Sequence, residues 1–416
     1  MIKLSTACVK QPDMKDAVLM PYYDNSDPRY FDKGKKFDKG KKKMADTKKK
    51  PAKKKAVTKV IKKPPNLPIK SVQHDLFREF LSNDPEEVSN TVELWERIPK
   101  YFLSPEEQKK LRGSNGLAQP YVYSYVLRDK NGAPLPFKVK IQPALIEQPD
   151  GNHIAFFPTS AEEIIEEVLK KIFTEQNLGI HDVRNAESWV RFSYGMINKE
   201  LRKNHCSKTH QQIKHSLEIM SKCIITAYED DEEIYTGAIL QDYCSVDRKK
   251  YLDDSKALHV ARLPVFISHA VNTLQYRQFN YKRMMRLKSA LSREILRRMI
   301  NRFIQASLIK TYHFRFSTIQ EETPYLRAVK QSKNREKIIS ALTELVKEGA
   351  IYSYELEKSK EGNKISDIKY VLSPTQEFCS EQKASNARAN IIEDKAKLEG
   401  LGIVDKSKTG RQSTGQ

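Results

Sequence analysis

No stretch of this chain approaches the roughly 18 consecutive apolar residues that a membrane-spanning helix requires, so no membrane partner is expected. The opening residues Met1 to Ala7 lack a long apolar core, so a secretory signal is not expected either. Cysteine is scarce. Cys8, Cys206, Cys223, Cys244 and Cys379 are scattered and odd in number, which argues against a disulfide framework and fits a reducing cytoplasm. The common enzyme signatures are missing too. There is no GxxxxGK phosphate loop ending in Ser or Thr, no GxGxxG after a strand and no HExxH. None of the nine histidines forms a His-x-His pair, so a metal-assisted tyrosine nickase finds no support although tyrosines number 19. His205, Cys206, His210, His215 and Cys223 match no compact zinc spacing. The expectation is a protein with no catalytic residue, no metal and no cofactor.

What is present is positive charge, unevenly spread. The 416 residues carry a formal net charge of +21. Lys33 to Lys63 alone holds 16 lysines and two aspartates, leaving +7 for the rest. That segment begins within a tandem repeat, Phe31 to Lys36 and Phe37 to Lys42, and runs into Pro64, Pro65 and Pro68. Low complexity and proline breaks predict a disordered tail over 1–87 that attracts any polyanion without reading sequence. Met44 stands inside it as an alternative start.

The length exceeds one compact core, so two domains are expected. Order is predicted to begin near Val88, with a dense apolar cluster at Trp95, Ile98, Tyr101 and Phe102. Tyr121 to Leu127 and Phe137 to Ile141 read as a strand pair around an Asn131-Gly132 turn, and Ile154 to Phe157 as a further strand. Thr159 or Ser160 can cap a helix whose stripe is Ile164, Ile165, Val168, Leu169 and Ile172. Ser193 can cap a short helix through Leu201. A third helix, Lys208 to Lys222, turns Ile213, Leu217 and Met220 inward. Strands at Ile224 to Tyr228, Ile234 to Tyr243 and His259 to Ile267 follow, and the acidic run Glu229 to Glu233 between them reads as a solvated loop. This order is the winged-helix arrangement.

The order then repeats. A long amphipathic helix is predicted from Tyr281 to Ala306, then a strand at Tyr312 to Phe316 and a short helix capped by Ser317. A helix from Lys333 to Glu348 stops at Gly349, and two strands surround a Lys358 to Lys364 turn. The expected fold is α+β: two tandem winged-helix domains, 88–273 and 274–378. A small β-rich subdomain precedes the first, and a largely disordered extension, 379–416, follows the second.

Three surfaces are candidates for DNA. The helix from Tyr281 carries Lys282, Arg283, Arg286, Lys288, Arg293, Arg297, Arg298 and Arg302 with Glu294 as its one acid, a pattern suited to phosphate. The second unit's third helix is predicted to present Lys333, Asn334, Lys337 and Ser340 with Arg335 at the edge, residue types that read bases or phosphates, beside the wing lysines Lys358, Lys360 and Lys364. In the first unit Lys208, Gln211, Gln212 and Lys214 face outward. RNA is not favoured, because no aromatic-rich RNP-like strand appears.

Three segments resemble plasmid replication initiators of the RepA type: Val92 to Phe102; Phe192 to Leu201 with Gln211 to Met220; and Gln278 to Leu291, continuing to Arg298 and Gln305 to Ser307. The resemblance spans about 90–375 in patches. It implies binding to repeated sites (iterons) in a plasmid origin, opening of adjacent AT-rich DNA, recruitment of the host initiator and helicase, and repression as a homodimer. By that analogy the second unit reads sequence through Lys333, Asn334, Arg335 and Lys337. A transcription regulator with the same domains is the alternative.

Overall fold

The computed structural model describes residues 88–128, 132–174, 178–182, 185–245, 258–362 and 364–398. The Lys-rich segment, Asn131 and residues 399–416 lie outside the described residues.

The first half opens with β1 (Val88–Thr91), the short α1 (Glu93–Glu96) and α2 (Pro105–Leu111). Two hairpins follow, β2 (Tyr121–Arg128) with β3 (Pro134–Gln142), and β4 (Ala144–Glu147) with β5 (His153–Phe156). Then come α3 (Ser160–Phe173), β6 (Gly179–Asp182), β7 (Glu187–Phe192), α4 (Tyr194–Lys203) and α5 (His210–Lys222). Local chemistry sets these helix starts. Thr159 caps α3, and the Glu162 carboxylate returns to its N–H at 2.8 Å. Ser193 caps α4 by accepting from the Met196 N–H at 3.2 Å, and Thr209 caps α5.

After α5 come β8 (Ile224–Glu229), β9 (Glu232–Ala238), β10 (Gln241–Ser245), β11 (His259–Arg262) and α6 (Val265–Thr273). Here the structure corrects the expected wing. The β8–β9 hairpin does not return to the strand before the helices. It joins the β2–β3 hairpin in a four-stranded sheet, β2-β3-β8-β9, burying Val139 and Ile141 of β3 beside Ile225 and Ala227 of β8. The expected β-rich subdomain therefore takes in β8 and β9 as well as the first hairpin. The winged-helix sheet proper is β10-β11-β7-β6, with His259 of β11 opposite Phe192 of β7. Residues 246–257, between β10 and β11, lie outside the described residues. The strand predicted over His259 to Ile267 ends at Arg262, and Pro264 is the N-cap of α6.

The second half begins with β12 (Arg277–Asn280), paired antiparallel with β1. It continues through α7 (Tyr281–Arg286), α8 (Ala290–Arg302), β13 (Tyr312–Arg315), α9 (Phe316–Glu322), α10 (Gln331–Lys347), β14 (Ile351–Glu361), β15 (Lys364–Pro374) and α11 (Gln376–Leu398). The sheet order β13-β15-β14 places the strand between α8 and α9 beside the returning wing strand, the winged-helix topology. The predicted single helix from Tyr281 is broken at Leu287 to Ser289. Glu344 of α10 accepts from the N–H groups of Lys288 (2.6 Å) and Ser289 (3.2 Å) and from the Ser292 hydroxyl (2.5 Å), satisfying donors that open α8. Ser317 is not the predicted cap. Asp367 of β15 does that work, accepting from the Ser317 N–H at 3.1 Å and its hydroxyl at 2.8 Å. Gly349 ends α10 in the left-handed region, φ +70°.

The extension from 379 differs most from expectation. Through Leu398 it belongs to α11, which buries Phe378, Cys379, Gln382 and Ile392. Arg277 of β12 donates to Gln382 Oε1 at 3.0 Å and Asn386 Oδ1 at 2.8 Å, tying that helix to the strand that opens the second unit.

Candidate nucleic-acid interface

In the second unit, the outer face of α10 and the wing lie on the same side of the sheet. Ile338, Ala341, Leu342 and Leu345 are buried, which leaves Lys333, Lys337 and Ser340 exposed. The wing strands β14 and β15 run 11 residues each, whereas β13 pairs only with Lys369 to Leu372, so the hairpin projects past the sheet. Side chains alternate along a strand. Lys358 is opposite Ile368 and Leu356 opposite Tyr370, on the face that carries the core. Tyr354 shares that face, and its hydroxyl meets Thr343 of α10 at 3.4 Å. Lys360 lies opposite Ile365, which packs against the core, so Lys358 and Lys360 are both exposed on the face of the hairpin that the helix covers. The Lys364 side chain lies outside the described residues.

Two predicted readers differ from expectation. Asn334 is 0% exposed. Its amide accepts from the Ala328 N–H at 3.0 Å and donates to the Ala328 carbonyl at 2.9 Å, so neither end is available for a bidentate adenine contact. Arg335 is half-buried, with its guanidinium 5.5 Å from the Phe316 ring. In the first unit Gln211 and Lys214 are exposed and Lys208 is half-exposed. Gln212 is exposed, but its carbonyl oxygen accepts the Thr209 N–H at 2.9 Å in the capping box.

The basic helix is the main correction. Arg293 and Arg297 point not to solvent but into α3. Arg293 Nη2 meets Glu163 Oε2 at 2.6 Å. Arg297 spans three carboxylates: Glu163 at 2.8 Å, Glu167 at 2.9 Å and Glu96 at 3.3 Å. Lys170 pairs with Glu167 at 2.8 Å and also with Glu96. Glu166 accepts from the Tyr101 hydroxyl at 2.6 Å and from the Trp95 indole. Lys100 donates to the Trp95 carbonyl at 2.6 Å with its ammonium 4.1 Å from the Trp95 ring. Four carboxylates thus face four cations, their side chains all buried, where the two units meet. Arg298 is buried against Glu322, and Arg302 reaches the same carboxylate at 3.4 Å. Arg283 is buried against Glu377 (2.9 Å), Glu381 and the Glu348 carbonyl (3.0 Å). Guanidinium groups buried and turned onto carboxylates in this way are not presented to a phosphate in solvent. Of that helix's basic residues, Arg286 and Lys288 are exposed, Arg302 is partly exposed and Lys282 is half-buried.

Burial alone would raise the Glu163 carboxyl, but Arg293 and Arg297 outweigh it and hold the pKa at about 2. Burial also opposes the charge on Glu96, and Lys170 and Arg297 overcome it, again to about 2. Both lie below the ordinary carboxylate value of 4.5. The stabilisation they contribute is complete above about pH 5 and is lost as pH falls from there toward about 2. Thermal melts across that window should show a falling midpoint, with a shallower fall in Glu163→Gln. A midpoint independent of pH below about 5 would contradict the network.

No family model matches the chain, and none of the curated proteins does. Among solved structures it is similar to the selenomethionine derivatives of domains 2 and 3 of RctB, at 10% identity and TM-score 0.37, over 61% of this chain and 91% of that one. A second structure of RctB domains 2 and 3 aligns at 8% identity and TM-score 0.38, over 64% and 95%. The Pi initiator protein in complex with iteron DNA aligns at 13% identity and TM-score 0.36, over 57% and 98%. At these scores no residue of this chain is matched to a role, and the fold assignment rests on the helix sequence and sheet orders described above.

The partner of the basic helix is not legible in the helix's own residues. A signal existed: Glu162, Glu163, Glu166 and Glu167 form an acidic stripe at helical spacing on α3. It reads as dipole compensation until α8 is laid against it.

Proposed function

We propose that this chain grips duplex DNA through two tandem winged-helix units and serves, by binding and not by catalysis, as a replication initiator at a plasmid origin. The observation that carries the DNA reading is the lysine-lined surface of the second unit. Lys333 and Lys337 on the exposed face of α10 and Lys358 and Lys360 on the projecting wing share one side of the sheet. A helix of this kind fits the major groove, while the wing reaches adjacent backbone. The initiator reading rests on the three segments that resemble the RepA-type family. It carries with it binding to repeated origin sites, opening of AT-rich DNA, recruitment of a host initiator and helicase, and a homodimeric state.

Selection of a random-sequence duplex pool with the full chain tests the first part. Enrichment of a defined duplex is expected, and a pool that stays random would end the DNA reading. A plasmid carrying direct repeats of the selected sequence tests the second. It should replicate only when this gene is supplied in trans. Tight binding without plasmid maintenance would favour a transcription regulator.

A further inference from the structure

The loop that delivers α10 carries a branched aliphatic side chain in full contact with solvent. Val329 is 98% exposed, more than any other large hydrophobic residue among the described residues. Its backbone is held from both sides. Behind it, Arg327 donates to Glu107 at 2.8 Å and to the Tyr121 hydroxyl at 3.2 Å, with its guanidinium 4.9 Å from the Phe102 ring. Ahead of it, the buried Asn334 spends both ends of its amide on the backbone of Ala328 and also donates to Gln331 Oε1 at 3.2 Å. A buried amide with both ends satisfied is a rigid clamp. Here it fixes the residue next to an apolar side chain that stands in water.

Leaving Val329 in water contributes nothing to the stability of the free protein. What sets it apart from other exposed aliphatic side chains is the clamp on the neighbouring backbone, which holds it ready for a contact made on binding. Lys330 and Lys333 are exposed close to it in sequence, and Lys337 is one turn further along α10. A small apolar group flanked by cations suits a surface that offers a methyl between phosphates. In the major groove that group is the 5-methyl of thymine.

We infer that Val329 is a specificity-determining residue that reads a thymine 5-methyl group in the major groove, with Asn334 as its positioning residue. The inference rests on the DNA reading given above. Asn334, predicted from its residue type to read adenine itself, acts instead on the loop that presents its neighbour.

The test uses the full chain and the duplex enriched from the random pool. Each thymine is replaced in turn by uracil, which removes only the methyl. At one or two positions the wild-type affinity should fall about four-fold, the worth of one buried methyl. Val329→Ala should bind the thymine and uracil duplexes equally at those positions, and Val329→Thr, which keeps one methyl, should retain part of the preference. Asn334→Ala should blunt the same preference without shifting it to another position. A wild-type protein indifferent to every replacement, or a Val329→Ala variant that discriminates as wild type does, would overturn the inference while leaving DNA binding intact. Failure to enrich any duplex would instead remove the underlying DNA reading and this inference with it.

Discussion

Arg297→Ala lowers the unfolding free energy by about 3–5 kcal/mol, the cost of removing one partner from a buried ion pair. The guanidinium holds Glu163, Glu167 and Glu96 at once, and all four side chains are nearly excluded from water. Without it, three carboxylates share Arg293 and Lys170. Urea unfolding of Arg297→Ala, Glu163→Ala and the double variant measures the coupling. The double variant should lose clearly less than the sum of the singles, because each single leaves uncompensated charge behind. Additive losses, or a loss below about 1 kcal/mol for Arg297→Ala, would mean that the pair is solvated as surface pairs are. Arg297→Lys keeps the charge but not the fork, and should recover only part of the loss.

Removing the lysines of α10 and the wing should do the opposite: the proposed DNA binding weakens while stability holds. Lys333, Lys337, Lys358 and Lys360 are exposed, and alanine at such sites changes stability by about 0.5 kcal/mol or less. For each phosphate that no longer meets a lysine, the slope of log affinity against log salt should become shallower by about 0.9. The fourfold alanine variant should therefore bind about one to two orders of magnitude more weakly at low salt and shed much of its salt dependence. Arg293→Ala and Arg298→Ala, by contrast, should leave the slope of the folded protein unchanged, since both side chains are turned onto carboxylates. A slope that falls in these arginine variants and not in the lysine variant would move the interface from α10 to α8.

Much of the second unit is legible in the chain. Its helices carry a 3.6-residue apolar period, Gly349 stops α10, and the wing strands alternate around a short polar turn. These signals are local, so neighbours in sequence supply most of what each residue needs. The caps at Thr159 and Ser193 are legible for the same reason. The first unit is harder. Strands β3 and β8 each alternate correctly, but nothing local says that Lys140 will lie opposite Thr226. That pairing draws the expected wing into another sheet and passes the wing role to β10 and β11. In α11 the alternation of small polar and apolar residues looks frayed until Arg277, Asn280 and Arg283 take up its polar side chains.

The basic helix from Tyr281 shows where this division lies. That the segment is helical, amphipathic and crowded with arginine follows from its residues alone, because period and composition are properties of a short stretch. What the arginines are for depends on the assembled fold. A charge acts on whatever lies within a few ångströms, and for Arg293 and Arg297 that is Glu163, 130 and 134 residues away in the chain. The cations there hold the two units together. The surface proposed to meet DNA falls instead to a few lysines on α10 and the wing, which the packing of distant carboxylates onto the arginines leaves exposed.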